Sequence, residues 1–588
     1  ALFGCEDAWG GAVAAVLYSR GYLSHALDRK SPAHVSLHYT ALTVMSLSML
    51  GVVASDGGYS FLFFWELMTV ASFILILFDA ERREVRRAAL SYLIMMHIGF
   101  VLLVVGFVRL HAATGSASFA ALVPYFAEHR FLPLFLVFLA GFGMKAGLFP
   151  MHVWLPEAHP AAPSHVSALM SGVMIKTGVY GILRVVAALD TSAALHTAGV
   201  IVLVAGIATG LWGVILAASQ NDVKRLLAYS SIENVGVILI GAGVALLGKA
   251  SGHPSVALCG MAGALLHTLN HSFFKSLLFF GAGNVLTQTH TTSLDALGGL
   301  AKHMPLTALL FLVGAAAICA LPPLNGFVSE LLIYLGLFKG IAAGGSVLAS
   351  VAGVVALALI GGIVVLAFTK LYGTVFLGSP RTHEVAEAAE ADSFRIAAMA
   401  LPLAGILFVG FFPATAVGIV GRAAGFFLAA PPAVSDFLLS PVLSAVGRTA
   451  WLLVGVIGLL AWLRARTLRS RTVAQGPTWG CGFTSPNVRM QYTGESFSEG
   501  LQSIVPSLTQ QKGEGDAVAK SEIFPSAHRY DIRRKDRIDR LFAAWWVEAL
   551  RLLNQRAMRL RTGKINSYIL FALAFLVLVF LLSVLHLR

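Results

Sequence analysis

Only four cysteines occur in this chain of 588 residues, Cys5, Cys259, Cys319 and Cys481, and no two form a C-x-x-C pair. That spacing encodes neither a zinc ribbon nor an iron–sulfur cluster, so any electron carrier belongs to another chain. Nucleotide loops are also missing: there is no G-x-x-x-x-G-K-[ST] run and no G-x-G-x-x-G run in a strand-turn-helix setting. Energy from ATP or NADH is therefore not collected directly. Charge is scarce, at 12% of residues against 57% apolar, with a mean hydropathy of +0.79. A chain of this composition has lipid as most of its solvent. The formal net charge of +13 comes from Lys and Arg in short inter-span loops and near the C-terminus. This is the positive-inside distribution of a membrane protein, and it argues against a nucleic-acid partner.

The expected fold is an all-α polytopic membrane protein. Apolar runs of about 20 residues, the length that crosses a bilayer, fall near 8–20, 39–55, 59–79, 88–110, 131–149, 164–188, 198–218, 226–248, 256–287, 304–320, 325–340, 346–378, 395–413, 415–430, 448–465 and 565–587. They amount to about 14 or 15 transmembrane helices. Arg82, Arg83, Arg86 and Arg87 share one short loop and Lys224 and Arg225 another; span counting puts both on one face, which the positive-inside rule makes cytoplasmic.

Two runs break the helical pattern inside the apolar zone: Lys145-Ala-Gly-Leu-Phe-Pro150 and Leu321-Pro-Pro-Leu-Asn-Gly326. Proline removes a backbone donor, and non-helical backbone at membrane depth survives only inside protein or along a wet cavity. Paired breaks point to inverted repeats. The expected organisation is an N-terminal span and loop at 1–38, five-helix repeats at 39–188 and 198–378, and further spans at 379–470. A polar loop and amphipathic helix at 471–564 and a last span at 565–588 follow. The amphipathic segment, 531–564, alternates Asp536, Arg540, Arg551, Arg556 and Arg559 with Leu541, Phe542, Trp545, Trp546, Leu550 and Leu553. It suits a helix lying along the membrane interface or one packed on a partner subunit.

Ionisable residues inside the apolar runs are the functional candidates. Each costs about 3 kcal/mol at the bilayer centre, so five of them cost roughly 15 kcal/mol. That is comparable with the whole stability of a typical domain, and packing alone does not justify it. Lys275 is the foremost, in Leu265-Leu-His-Thr-Leu-Asn-His-Ser-Phe-Phe-Lys275. His267, His271 and Lys275, at i, i+4 and i+8, drift only about 40° per step and share a helix face. Histidine titrates between pH 5 and 8, which suits proton relay, although a buried His is as often a packing residue; two His without a third ligand do not argue for a metal. Glu66 lies in an aromatic run, with Lys145 as its natural partner. Lys176 sits mid-span, and Glu330 follows the second break by one to two turns. Lys370, near the end of its span, either acts or snorkels to the interface.

These segments resemble the antiporter-like subunits of respiratory complex I, of Mrp cation/proton antiporters and of group 4 membrane-bound [NiFe] hydrogenases. The residues that carry the resemblance are Trp65-Glu66, Gly143 to His159 (with His152 inside it), Ile175-Lys-Thr-Gly-Val-Tyr180, Asp222 to Ser231, Leu266 to Lys275 and Gly326-Phe-Val-Ser-Glu330. Ser231-Ile-Glu-Asn-Val-Gly236, Thr478 to Phe483 and Arg489 to Gly494 look like the large membrane subunit of formate hydrogenlyase and hydrogenase-4 complexes.

The resemblance implies a coupling pair Glu66–Lys145, a bridging Lys176, a central relay lysine Lys275 flanked by His267 and His271, and a closing acid Glu330. Lys370 and His152 are secondary candidates. It further implies a multi-pass subunit of a prokaryotic inner membrane with other membrane subunits and a peripheral redox arm as partners. The [NiFe] and iron–sulfur centres would sit on those partners, no cofactor on this chain, and protons or sodium would be the ions moved. Family members carry about two more spans before the region matching 39–79, so spans are missing here or the chain begins late. An Mrp-like antiporter and a non-pumping anchor for a hydrogenase or carbon-uptake partner are the alternatives.

Overall fold

The computed structural model describes residues 2–24, 30–428 and 440–469, with shorter stretches between 471 and 538. Ten described helices are long and apolar enough to cross a membrane, and four shorter apolar helices accompany them. Residues 1–506 and 507–588 form two separate units.

The first unit opens with α1 (Leu2–Tyr22), α2 (Pro32–Ala54), α3 (Gly58–Ile76) and α4 (Arg83–Thr114). Local chemistry fixes their ends. Ser31 caps α2, its Oγ accepting from the His34 amide at 3.3 Å, and Pro32 occupies the first turn, where a missing N–H costs nothing. A short α5 (Leu122–Glu128) leads to α6 (Phe131–Ala146), which stops at Gly147 in the left-handed region (φ 81°). After a non-helical stretch, α7 (Leu155–Ala161) completes the crossing. Both expected breaks are present: at the second, α13 (Pro305–Ile318) ends before the double proline and α14 (Asn325–Ala343) begins after it.

Between the breaks, α8 (Ser164–Leu169) runs through a π turn (Met170–Met174) into α9 (Ile175–Ala187), followed by α10 (Ser192–Ser219), α11 (Val223–Ala250) and α12 (Pro254–Thr289). Thr191 and Asp222 cap α10 and α11 by accepting from the Ala194 and Arg225 amides at 3.3 and 2.8 Å. Glycines let α10 and α11 touch backbone to backbone: a Cβ on Gly236 would overlap the Gly210 backbone. Every residue in the most apolar stretch of α11 is buried. α12 is not among the ten apolar spans, because its His, Asn, Ser and Lys lower its hydropathy, yet it lies at the centre of the bundle. Then come α15 (Val347–Phe376), the short α16 (His383–Ala386), α17 (Ser393–Phe411), α18 (Pro413–Leu428) and a helix over Ser440–Leu468.

Two expectations for the tail change. The polar loop contains a helix, Gly494–Ile504, packed on α15. The second unit contains an antiparallel strand pair, Thr509–Gly515 with Tyr530–Asp536, so 531–536 is strand and not the start of an amphipathic helix. Those residues, Asp-Ile-Arg-Arg-Lys-Asp, lack the apolar stripe a lateral helix needs. The remainder of that candidate and the last expected span lie outside the described residues.

Candidate functional site

The charged side chains gather at the two breaks and on the faces of α11 and α12. At the first break Lys145 is buried on the last turn of α6, where its Nζ donates to Thr69 Oγ1 at 2.8 Å and lies 4.5 Å from the Trp65 ring centroid. Trp154 anchors the unwound segment by donating from Nε1 to the Met144 carbonyl at 2.9 Å. Glu66, one turn before Thr69 on α3, is within the electrostatic reach of Lys145. Its direct contact, however, is His97 of α4, Nε2 to Oε1 3.0 Å. The two residues share a site without forming an ion pair, because Thr69 and the Trp65 ring occupy the ammonium.

The second group spans α8 to α14. Lys176 donates to Ser272 Oγ at 2.7 Å and to the Gly172 carbonyl inside the π turn. A π turn leaves carbonyls off the regular ladder, which is how a helix offers them to a side chain. Lys275 is completely buried and donates to the Leu227 carbonyl at 2.7 Å and to Ser230 Oγ, both on α11. Lys176 lies within its electrostatic reach and that of His271. His267 bridges two helices, Nδ1 to Ser329 Oγ of α14 and Nε2 to Asn234 Oδ1 of α11, both at 3.0 Å. At the second break Asn270 donates to the Asn325 carbonyl at 2.7 Å and to Ser329 Oγ at 3.0 Å, so a polar side chain of α12 is tied to the start of α14, a turn before Glu330.

Lys176, His267, His271, Lys275 and Glu330 are thus brought together, while Glu66 and Lys145 form a neighbouring group. α6 and α9 touch backbone to backbone between the two: a Cβ on Gly178 would come within 2.6 Å of the Phe142 carbonyl. Lys370 is fully buried and bonded to the Ala218 carbonyl at 3.1 Å, and its Nζ lies 3.4 Å from Ser498 Oγ, so it does not snorkel to solvent. His152 packs among Phe149 and Trp212 rings.

Sequence reading missed Glu233. It is buried on α11, bonded by the Asn234 amide at 2.5 Å, and within electrostatic reach of both Lys275 and Glu330. It is the acid that a buried Lys275 requires. The rule that singled out Lys275, an ionisable residue inside an apolar span, applies equally to Glu233 in 226–248. Also missed were Lys224, His38, His159 and His165, all buried. Lys224, in the first turn of α11, is within electrostatic reach of Asp79 and Arg82, so Arg82–Arg87, most of which open α4 and are not in a loop, lie near Lys224.

A helical bundle with two broken helices and buried Lys, His and Glu side chains has the build of an antiporter-like membrane subunit. Residues 56–359 match the family described as "NADH:quinone oxidoreductase/Mrp antiporter, TM", and this chain belongs to it. It is similar to hydrogenase-4 component B of Escherichia coli (strain K12), 34% identical over 91% of this chain and 81% of that protein. It is also similar to formate hydrogenlyase subunit 3 of the same organism, 35% identical over 64% of this chain and 61% of that protein. Among solved structures, a chain of the membrane-bound sulfane sulfur reductase, an archaeal respiratory membrane complex, superposes with a TM-score of 0.72 at 25% identity. That match covers 98% of this chain and 87% of the other.

Proposed function

We propose that this chain moves protons, or sodium ions, across a prokaryotic inner membrane as one subunit of a multi-subunit redox complex of the hydrogenase-4 and formate hydrogenlyase type. The observation that carries the reading is Lys275, wholly buried, held by the Leu227 carbonyl and Ser230 of α11, with Glu233 in reach. Burying so many ionisable groups is expensive, and ion pathways are where membrane proteins retain them.

In this reading each residue has a role. Glu66 and Lys145 sense a change in charge arriving from a neighbouring subunit, with Thr69 and His97 holding them apart at rest. Such a change loosens Lys145, alters the field at Lys176 and then at Lys275, and drives a proton towards Glu330. His267 and His271 line the same α12 face as Lys275. The halves 39–188 and 198–378 act as inverted repeats, each with one broken helix, which gives an acid and a lysine a defined place in each half. The Arg82–Arg87 and Lys224–Arg225 segments, at the starts of α4 and α11, are cytoplasmic. The chain supplies the ion path, and the [NiFe] and iron–sulfur chemistry is assigned to partner subunits. Ion uptake by vesicles carrying the complex with Lys275→Met tests the reading.

A further inference from the structure

Lys275 needs a supply of protons, and the relay described above does not provide its outer end. We propose that protons reach it from the Arg82–Arg87 face through a pair of buried histidines, His38 of α2 and His165 of α8. This rests on the reading of the chain as a proton pathway.

His38 Nε2 and His165 Nε2 lie 2.8 Å apart, and both rings are buried. At that distance one nitrogen carries the hydrogen and the other presents its lone pair, so the two rings share a single proton across the contact. The Nδ1 atom of each ring is buried with no partner among the described residues. Buried imidazole nitrogens ordinarily have one. Each ring therefore has one nitrogen engaged with the other ring and one turned away from it, as two stations in series require.

The outer end of the pair lies at the charged face. One turn before His38, His34 Nε2 is 3.0 Å from the Phe78 carbonyl. Lys30 bonds the same carbonyl at 3.1 Å and pairs with Asp79 at 3.2 Å and Glu81 at 2.8 Å. The Phe78 ring stands edge-on to both His34 and His38, with centroids 5.1 and 4.9 Å away. The inner end leads to the relay. His165 has Tyr22 of α1 against its ring at 5.5 Å and Lys224 of α11 within electrostatic reach. Lys224 donates to the Ala162 carbonyl at 2.8 Å, just before α8 begins. Beyond it His159 stacks on Phe279 at 5.3 Å, one turn along α12 from Lys275. His159 feels both Lys224 and Lys275, and both its ring nitrogens lack a partner among the described residues.

The transfer balances. A proton arriving from the charged face forms an N–H bond at His38 Nδ1, and the Nε2–H bond of that imidazolium breaks as the proton bonds to His165 Nε2. His165 then loses its Nδ1 proton inwards, by way of His159, to neutral Lys275 Nζ. One proton enters, one leaves, and no charge stays on the pair. Flipping both rings turns the protonated nitrogen of His38 back towards His165 and the bare nitrogen of His165 towards His38, which re-aims the pair for the next proton.

The test is redox-driven proton uptake in inverted membrane vesicles holding the intact complex, followed by quenching of an acridine dye and scaled to the amount of assembled complex. His38→Gln, His165→Gln and Lys275→Met are compared with the wild type. Glutamine keeps a hydrogen bond but carries no proton, so both glutamine variants should lose uptake at least about tenfold, as removal of a proton-transfer group does. Wild-type uptake in either glutamine variant, with Lys275→Met inactive, overturns the entry route and leaves the relay standing. Wild-type uptake in Lys275→Met overturns the relay itself. Should a glutamine variant fail to assemble, asparagine at the same position takes its place under the same criterion.

Discussion

Lys145 Nζ donates to Thr69 Oγ1 at 2.8 Å, while Glu66, one turn earlier on α3, is held by His97 Nε2 at 3.0 Å. The acid and the lysine are thus neighbours with separate partners, and in the proposed relay Thr69 would act as the latch. Thr69→Val keeps the shape and removes the acceptor from a charged donor, an interaction worth about 1.5–3 kcal/mol. Coupled ion transport should fall several-fold with assembly intact. Unchanged transport would mean the latch has no part in coupling.

Glu233 is predicted to matter as much as the lysine it faces. Glu233 lies within electrostatic reach of Lys275, and a buried lysine that takes up and releases a proton needs a nearby carboxylate to stabilise its charged form. Glu233→Gln should reduce ion uptake to the level of a Lys275 variant, whereas Glu128→Gln, in the short α5, should not. Uptake assays on assembled complex decide it.

Gly236 sits where α11 meets α10, and a Cβ there would overlap the Gly210 backbone, which cannot move aside as a side chain could. Gly236→Ala should destabilise by roughly 1–3 kcal/mol, the usual cost of overpacking. Thermal unfolding in detergent should show a lowered midpoint. Gly361→Ala, with nothing within 4 Å of the new Cβ, is the control and should melt like the wild type.

The start of α2 is pinned by Lys30. Its hydrogen bond to Glu81 holds that carboxyl below the usual range, and although partial burial works against the lysine's charge, Glu81 and Asp79 outweigh it and raise the lysine. A lowered acid contributes above its unfolded value and ceases to as pH falls through its folded value; a raised lysine contributes below its unfolded value and ceases to as pH rises through its folded one. The anchor therefore holds across neutral pH and is lost in acid. Protection against hydrogen exchange, taken relative to the intrinsic rate at each pH, at the His34 and Val35 amides, which bond the Ser31 carbonyl, should fall on acidification more in the wild type than in Lys30→Met.

Much of this was legible in the sequence. Hydropathy located the helices, proline and glycine located both breaks, and Lys145, Lys176, Lys275 and Glu330 stood out because a charge in lipid needs a reason. The contacts were less legible. Glu66 pairs with His97, a residue a helix away, and nothing in the spacing predicts which of two nearby cations a carboxylate meets. Glu233 carries the same signal as Lys275, but it also falls within the Ser231–Gly236 family motif, which masks it. His38 lay one residue outside a span drawn from 39, whereas Ser31 and Pro32 start the helix a full two turns earlier. The strand pair at 509–536 has no hydrophobic alternation to announce it.

The most direct measurement of the central claim is proton and sodium uptake by vesicles containing the assembled complex with Lys275→Met, at matched electron transfer from the partner subunits. The account predicts that electrons can still flow while uptake of the transported ion is abolished. Uptake at the wild-type rate would contradict it.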